Sequence, residues 1–544
     1  MFPYADEPFS ESEADVLRRY VTSLDGPVFA LVNLPEVVKG ALFARYSRSA
    51  KSLRRLFLDE FVGDLDVSGD LGVDATVGLS RAEQLYERVF LEYGDDSVAQ
   101  LGGVHLACEQ ASNILTKVLE RGRLMSYLEQ STRYIAYDSR LPTGHYRYYR
   151  DREILDSAYG ARYVGDMDRM FDTYAELLPV MQGWFARRHE RRAGDSEIAY
   201  RQSVKARALD ALRGLLPAGS LSNVGIYGTG QSYELLVMRL AAHPLPEARR
   251  YGEMMLGELR KVIPSFLERV DRPDRGLVWI EYLRERRRET EEIVSRLWGD
   301  TPGDQAVGGS AGVTLSDFDP AGEDKVIAAV CFEGSHMSDA AALDMVRGLG
   351  GEEKLALLKA YVGGRSNRRH RPGRAFERTS YRFEVVSDYG AFRDLQRHRL
   401  LSIEWQGFTG GLGYSMPSEV AEAGLARQFG ESIDRSAELF EALREGFPAQ
   451  APYALSLAHH VRYVMEMNAR EAMHVLELRS SEQGHPSYRR IAQEMHRLIA
   501  DVAGHGLIAA AMEFVDHGDY ALGRLGAEQR RIDRGSDPLA SSPV

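Results

Sequence analysis

The stretch Arg121-Gly122-Arg123-Leu124-Met125-Ser126 opens a motif that continues as Glu129-Gln130-Ser131-Thr132-Arg133-Tyr134. A related stretch, Arg397-His398-Arg399-Leu400-Leu401-Ser402, lies much further along the chain and lacks the Glu-x-Ser-x-Arg continuation. The separation of the two stretches corresponds to the length of one mid-sized domain. They therefore predict a duplicated unit in which each copy keeps a different part of one composite site.

Length and composition indicate a globular protein. With 544 residues, 44% hydrophobic and 27% charged, the chain can bury two or more cores. The sequence has no apolar run of about 18 residues, and its start lacks the pattern of a secretory signal, so we expect a cytoplasmic protein without membrane contact. Only Cys108 and Cys331 are present, which excludes a disulfide framework and argues against a cysteine-based metal site. We expect Cys108 to be a buried structural thiol.

The net charge of −12 disfavours broad binding to nucleic acid. One region nevertheless concentrates positive charge, with arginines at 365, 368, 369, 371 and 374. Two alternatives stay open for this region: a solvated loop, or a loop that faces an anion.

The segment 301–324 is rich in glycine, aspartate, serine and proline and predicts a linker. It separates an N-terminal domain, 1–300, from a C-terminal domain, 325–530, which is followed by a tail, 531–544.

Both domains repeat one order of elements. A strand at 104–110 precedes a helix at 112–125, and a strand at 381–386 precedes a helix at 391–401. Each domain later has a helical segment with an internal arginine, Arg239 or Arg479. This order favours a duplication.

Glu129, Ser131 and Arg133 would project from one face if their segment were extended. Arginine and serine suit a phosphate, and glutamate can accept from a sugar hydroxyl, so the trio fits a phosphorylated sugar. A surface strand with a structural ion pair is the alternative.

Asn468 and Glu471 form a pattern like a capping box at a helix start. The helix would place Arg470 and His474 on one face, one turn apart, beside an N-terminus suited to anions. A plain cap on a core helix is the alternative.

Arg397, His398 and Arg399, followed by Ser402, offer several anion contacts at a helix end. Because neighbouring helical residues point in different directions, they could bind separate phosphates of a dinucleotide or bridge two ligands. Basic clusters of this size are also common on surfaces. The sequence contains no P-loop, glycine-rich dinucleotide fingerprint, His-Glu-x-x-His or Cys-x-x-Cys.

Together these motifs resemble the flavin-dependent thymidylate synthase family, whose signature is Arg-His-Arg-x-x-Ser-x-Asn-Glu-x-Ser-x-Arg-Tyr, with a later Asn-Ala-Arg helix ending in Leu-x-Leu-Arg. Residues 129–134 match the second part of the signature, and 397–402 match the first. Residues 467–481 match the late motif. An upstream motif is degraded at 94–101 and 373–378.

The resemblance implies two homologous α/β (α+β) domains, each a sheet flanked by helices. It also implies a homodimer that imitates the family's tetramer. The implied reaction is reductive methylation of dUMP to dTMP with methylenetetrahydrofolate and reduced FAD, recharged by NADPH. Its partners would be this nucleotide and folate, at composite sites between the two halves.

The resemblance also assigns residues. The dUMP positions would be Arg121, Glu129, Ser131, Arg133, Arg213 and Arg239, and the FAD positions Arg397, His398, Arg399, Asn468, Arg470 and His474. Arg239 and Arg479 would polarise the pyrimidine as catalytic arginines. Gly122 and Gly228-Thr229-Gly230 replace flavin contacts in the first copy, and Trp405, Gly407 and Thr409 replace nucleotide contacts in the second. The alternatives are a catalytically inactive flavin- or nucleotide-binding paralogue, or a flavin-dependent methyltransferase acting on another uracil, including RNA.

Overall fold

A computed structural model describes residue 4 and residues 7–34, 36–62, 102–298 and 311–533. Its strands are β1 (Val28–Leu31), β2 (Gly103–Ser112), β3 (Met125–Glu129), β4 (Leu221–Thr229), β5 (Gly312–Phe318), β6 (Ser380–Asp388), β7 (Ser402–Trp405) and β8 (His460–Asn468). The helices before the predicted linker are α1 (Glu11–Leu17), α2 (Glu36–Tyr46), α3 (Leu53–Glu60), α4 (Asn113–Leu119), α5 (Arg152–Leu155), α6 (Gly160–Arg188), α7 (Glu197–Leu212), α8 (Gly230–Ala241), α9 (Pro246–Leu259) and α10 (Gly276–Trp298).

The later helices are α11 (Gly322–Glu333), α12 (Asp339–Arg347), α13 (Gly351–Val362), α14 (Tyr389–Leu395), α15 (Ser418–Glu422), α16 (Ala426–Leu443), α17 (Ala469–Arg479), α18 (Pro486–Asp501), α19 (Gly506–Ala511) and α20 (Leu525–Asp533). Short 3₁₀ turns lie at Arg213–Leu215, Pro264–Asp271, Arg374–Arg378 and Ala451–Ala454. Among the described helices, none combines the length and apolar character that crossing a membrane requires.

The strands form two four-stranded antiparallel sheets, ordered β1-β2-β4-β3 and β5-β6-β8-β7. The two orders are the same when the strands of each sheet are counted along the chain. Helices accompany both sheets, which confirms the predicted α/β (α+β) class with two copies of one unit.

Residue-level register supports the duplication. Gly103 lies opposite Thr229 in the first sheet, and Ser380 lies opposite Asn468 in the second. Thr229 and Asn468 both cap the helix that follows. β2 and β6 each end on a residue that caps a seven-residue helix, α4 or α14. The copies can therefore be compared position by position.

The described residues group into two compact units. The first unit comprises Met1–Asp172, Pro217–Asp304 and Arg435–Leu455. The second unit comprises Thr173–Leu216, Gln305–Asp434 and Ser456–Val544. Each unit therefore contains one segment from the other half of the sequence.

The first unit has a charged group inside its core. Glu109 of β2 is buried and accepts hydrogen bonds from Leu53 N and Tyr46 Oη, at 2.7 and 3.2 Å. The Arg54 guanidinium lies 3.9 Å from Glu109 and 3.7 Å from the centre of the Phe29 ring. Cys108 is buried, as expected, and burial raises the pKa of its thiol.

The second unit has an apolar core between its sheet and helices, formed by side chains that include Phe383, Val385, Met465, Leu476 and Ile491. The strand residues among them alternate along β6 and β8, as expected for strands with one face toward helices.

Several predicted boundaries are wrong. The helix expected at 112–125 ends at Leu119, because Met125 already begins strand β3. The helix expected at 391–401 ends at Leu395, because Ser402 begins β7. Residues 312–318 of the predicted linker form β5, paired with β6. The degraded motif at 94–101 and residues 534–544 of the predicted tail lie outside the described residues.

Candidate functional site

The predicted site residues divide between the two units. The first unit contains Arg121, Glu129, Ser131, Arg133 and Arg239. The second unit contains Arg213, Arg397, His398, Arg399, Asn468, Arg470, His474 and Arg479. We call the residues assigned to dUMP nucleotide-type and those assigned to FAD flavin-type. Of the nucleotide-type residues, Arg213 alone lies in the same unit as the flavin-type residues.

In the second unit, the turn from β8 into α17 organises the site. Asn468 caps α17 and accepts a hydrogen bond from Glu471 N at 2.9 Å. Glu471 does not complete the expected capping box. Its carboxylate instead lies 3.2 Å from Nδ1 of His474 and 3.7 Å from Nδ1 of His398. The histidines compete successfully for this carboxylate because all three side chains are largely removed from water.

The tautomer of His398 follows from its contacts. Arg479 Nε donates to His398 Nε2 at 2.8 Å, so the imidazole proton resides on Nδ1, on the side of Glu471. Burial lowers the pKa of His398 to about 4, so the ring is neutral at pH 7. Burial raises the pKa of Glu471, but its contacts with the two histidines outweigh burial and bring that pKa to about 2.

His398, Glu471 and His474 offer ligand atoms within 4.8 Å of one another, a spacing that a metal ion could bridge. The hydrogen bond from Arg479 opposes that use. It fixes the proton on Nδ1 of His398, which is the nitrogen that faces Glu471. The geometry therefore fits a neutral imidazole held between a carboxylate and an arginine.

Asp394, near the end of α14, gathers arginines from three parts of the sequence. Its Oδ2 lies 3.3 Å from Nη1 of Arg213. Its Oδ1 lies 3.6 Å from Nη2 of Arg397 and 3.9 Å from Nη1 of Arg479. Nη2 of Arg213 is buried without a hydrogen-bond partner among the described residues, 3.7 Å from Asp388. This cluster unites nucleotide-type and flavin-type residues.

Arg213 and Asp388 also line a cavity of about 720 Å³ in the second unit. Arg207, His485 and Arg497 are among its other lining residues. Its volume lies in the range of ligand pockets, and its mixed charges suit a polar ligand.

The other flavin-type residues of the second unit are more exposed. Arg470 donates its Nε to the carbonyl of Pro372 at 3.0 Å and lies 3.6 Å from Glu377. Arg399 is half-buried and makes no hydrogen bond or ion pair with any described residue. Both arginines can therefore offer guanidinium hydrogens to an anion.

In the first unit, Glu129, Ser131 and Arg133 do not share an extended face. β3 ends at Glu129, and the chain then turns, with the Ser131 hydroxyl accepting from Arg133 N at 3.3 Å. Glu129 is buried and accepts from Lys117 Nζ at 3.2 Å. The ion pair is thus structural, as in the alternative interpretation, although it is buried and not on a surface strand.

Arg121 and Arg239 are neighbours in the first unit. Burial, with a smaller contribution from the positive charge of Arg121, lowers the pKa of Arg239. Nε of Arg239 is buried without a hydrogen-bond partner among the described residues. Arg239 is not equivalent to Arg479, because counting from the equivalent helix caps, Thr229 and Asn468, places Leu240 at the position of Arg479. One residue rotates a helical position by about 100°.

The first copy has filled the space that a motif histidine needs. Gly122 occupies the position of His398, and a Cβ on it would lie 2.6 Å from the Tyr127 hydroxyl. Gly122 N donates to that hydroxyl at 2.9 Å. The second copy has Ile403 at the position of Tyr127, which leaves room for His398.

The start of α8 differs from that of α17 in a related way. Since Thr229 and Asn468 are equivalent caps, Thr229-Gly230-Gln231 replaces Asn-Ala-Arg, and the expected alignment with Gly228 is wrong by one residue. A Cβ on Gly230 would lie 2.7 Å from the Phe266 side chain. An aromatic ring therefore covers this helix start.

Strand register confirms that the second copy has replaced the Glu, Ser and Arg of the nucleotide motif. Glu129 pairs with Val224, five residues before Thr229, and Trp405 pairs with Tyr463, five residues before Asn468. Trp405 thus occupies the position of Glu129. Gly407 and Thr409, by the same count, stand at the positions of Ser131 and Arg133.

The arginine-rich region 365–374 contains one structural arginine. Arg365 is buried and forms two hydrogen bonds of 2.6 Å with Glu477. Arg374 pairs with Glu377 at 3.0 Å. Arg369 and Arg371 are exposed. Its exposed arginines leave both interpretations of the region, a solvated loop and a loop that faces an anion, as predictions.

The sequence did not single out Asp394. Its only sequence signal is a position three residues before Arg397, one helical turn away, where a carboxylate can meet an arginine. Asp388 is the N-cap of α14 and also lies 3.7 Å from Arg213. Its capping role explains an aspartate at this position, so the sequence gives no sign of the contact with Arg213.

Comparisons with known proteins agree with the duplicated fold. Residues 48–265 and 316–504 match the family model of the thymidylate synthase complementing protein, Thy1. The chain is 39% identical over 529 residues to a UPF0159 protein of Chlamydia muridarum, covering 96% of this chain and 98% of that protein. It is 33% identical over 521 residues to a UPF0159 protein of Thermoplasma acidophilum, covering 91% and 98%.

Two further similarities are partial. A flavin-dependent thymidylate synthase of Geobacter sulfurreducens is 33% identical over 137 residues, covering 23% of this chain and 59% of that protein. The crystal structure of a UMP/dUMP methylase, PolB, from Streptomyces cacaoi bound with 5-Br dUMP is 19% identical. That similarity covers 37% of this chain and 95% of that chain at a TM-score of 0.31. On the family match over both segments, the chain belongs to the thymidylate synthase complementing protein (Thy1) family and carries the family's domain in two tandem copies.

Proposed function

We propose that this protein is a flavin-dependent thymidylate synthase that methylates dUMP reductively to dTMP with methylenetetrahydrofolate, FAD and NADPH. The observation that carries the proposal is the arginine cluster of the second unit. There, Arg213, the flavin-type residue Arg397 and the catalytic arginine Arg479 surround one carboxylate, Asp394. Residues of nucleotide type and flavin type thus meet at one place.

The chain's own groups suit an anionic pyrimidine nucleotide. Arginine forks bind phosphate and carbonyl oxygens, and buried guanidinium groups stabilise negative charge that develops on a ring. Arg213 has a buried Nη2 with unused hydrogen-bonding capacity. Arg479 would polarise a pyrimidine carbonyl, and its contact with neutral His398 fixes the direction of its Nε. Catalysis would rest on positioning and electrostatics, which suits a chain with two cysteines.

The same unit has groups that fit FAD. Arg399 is half-buried, and Arg470 follows the cap of α17, whose N-terminus favours a diphosphate. His398, His474 and Asn468 would complete the flavin-binding set. Bound FAD would supply the hydride in its reduced form. The first copy does not fit FAD in the same way, because Gly122 and Gly230 are closed in by Tyr127 and Phe266.

Composite sites follow as part of the proposal. The second copy lacks the Glu-x-Ser-x-Arg residues, and the first copy retains Ser131 and Arg133, whereas its Glu129 is buried against Lys117. We propose that a working site requires both copies and that two chains act as a dimer. A chain with an Arg133 variant, mixed with a chain with an Arg470 variant, should regain activity if one site takes residues from two chains. Activity should stay lost if each site takes its residues from a single chain.

The decisive experiment measures flavin and reaction on the purified chain. The protein should be yellow, and with methylenetetrahydrofolate and NADPH it should release tritium from 5-labelled dUMP. Arg470→Ala should lose FAD and activity together. Arg374→Ala is the matched control, since Arg374 is exposed and pairs with the same Glu377.

The outcomes separate the candidate functions. A chain that binds FAD and dUMP without tritium release would be an inactive paralogue. A chain whose denatured extract contains no flavin would refute the synthase and the flavin-dependent methyltransferase alike.

A further inference from the structure

Asp394 brings together cations that would otherwise repel one another. Arg213, Arg397 and Arg479 come from three separate segments, and each places a guanidinium nitrogen within 3.9 Å of its carboxylate. The Asp394 side chain is 13% exposed, so water screens these charges only weakly. Guanidinium groups gathered around one point repel one another, and a shared anion offsets that repulsion.

We propose that Asp394 is a positioning residue for the synthase reaction, which holds Arg213 and Arg479 in the directions in which they meet the nucleotide. The inference rests on the proposed function, because it assigns Asp394 through the arginines that serve it. Asp394 would act through Arg213 on the phosphate end and through Arg479 on the base end. It would not contact the reacting carbon.

Comparison of the two copies separates this role from a requirement of the fold. Counting from the equivalent caps, Asp388 of α14 and Ser112 of α4, places Val118 at the position of Asp394. The same seven-residue helix therefore forms with valine at this position. The helix therefore does not need a carboxylate at this position, and the carboxylate occurs in the copy that has the three arginines.

Charge explains why the cluster can still receive an anion. Arg213, Arg397 and Arg479 supply three positive charges, and Asp388 and Asp394 supply two negative charges. The arginines thus remain in excess by one. A phosphate monoester could take the surplus charge and the unused Nη2 hydrogens of Arg213.

The opposing idea is that Asp394 competes with phosphate for Arg213. Neutralising a competitor would tighten nucleotide binding, because the arginines would gain net positive charge. Neutralising a positioning group would weaken binding and slow the reaction, because the guanidinium groups would lose their direction. The two ideas therefore predict opposite changes in the dissociation constant of dUMP.

The test uses the full chain with Asp394→Asn, the conservative Asp394→Glu, and Asp344→Asn as control. Asp344 forms an exposed ion pair with Arg347, so its amide variant has the same charge change away from the cluster. We would measure dUMP binding by calorimetry, flavin by absorbance, kcat and KM by tritium release, and Tm by fluorescence.

Asp394→Asn should weaken dUMP binding and lower kcat/KM by up to about 100-fold, the cost of small misplacements in a site. Asp394→Glu should restore part of both, and Asp344→Asn should leave both unchanged. Bound flavin should change less than dUMP binding, because Arg397 is the one flavin-type arginine that pairs with Asp394 among the described residues. Tm should fall, because the buried arginines lose a shared anion, so all variants are assayed at a temperature at which fluorescence shows them folded. Unchanged or tighter dUMP binding in Asp394→Asn would overturn the inference, as would losses that only follow a fall in Tm. A wild-type chain that binds neither dUMP nor flavin would instead refute the proposed function itself.

Discussion

Glu247 is a buried carboxyl group of the first unit whose ionisation should make folding depend on pH. It is completely buried on α9 and accepts from Ser112 N at 2.8 Å, Ser112 Oγ at 2.6 Å and Tyr453 Oη at 2.7 Å. Burial raises its pKa to about 7, although these donors act in the opposite direction. The folded protein therefore keeps the proton to a higher pH than the unfolded chain does.

The sign and size follow from linkage. The unfolded chain releases this proton near pH 4.5, so the stability contributed by the protonated group is complete below that pH and is lost as pH rises to about 7. At about 1.36 kcal/mol per pH unit, a rise from 4.5 to about 7 corresponds to ~3 kcal/mol. Glu247→Gln cannot ionise and should escape this loss.

The assay is urea unfolding between pH 4.5 and pH 8, followed by fluorescence. The stability of Glu247→Gln relative to wild type should increase by ~3 kcal/mol across this range. Glu253→Gln is the control, because Glu253 is exposed on the same helix. Using the difference between proteins removes the contribution of other titrating groups. Parallel pH profiles for Glu247→Gln and wild type would refute the reasoning.

Two further substitutions test the site. Gly122→Ala should destabilise the protein by about 1–3 kcal/mol, because its Cβ would meet the Tyr127 hydroxyl at 2.6 Å. The cost, measured by urea unfolding, should shrink in a Tyr127→Phe background, and an equal cost in both backgrounds would contradict the packing argument. Burial lowers the pKa of His398 to about 4, so native stability should be lost as pH falls from 6.5 to 4. His398→Gln should therefore lose less stability than wild type between pH 6.5 and pH 4 in the same assay, by ~3 kcal/mol. The same loss of stability in both proteins would show that burial does not lower the pKa of His398.

The sequence was sufficient where a local rule determines the structure. Asn468 was expected to cap a helix and does so, because an asparagine oxygen can satisfy a free N–H at a helix start. The alternation around Phe383 predicted β6 for the same kind of reason. The duplication was visible because both copies keep related arginine motifs.

The sequence failed where distant segments decide the environment. Glu129 looked available to a ligand, but Lys117 satisfies it in the interior. Glu471 looked like a capping residue, but two histidines hold its carboxylate. Asp394 could not be found from spacing alone, because Arg213 reaches it from the other half of the sequence. Such contacts depend on tertiary structure, which no local pattern encodes.

The exchange of segments between the two units has a consequence for truncation of this chain. Residues 173–216 belong to the second unit and 435–455 to the first. A break anywhere in 301–324 would leave each fragment without a part of its own unit. Neither copy could then be deleted by a single truncation without dismantling the other. A substitution that removes a motif, by contrast, leaves all segments of both units in place.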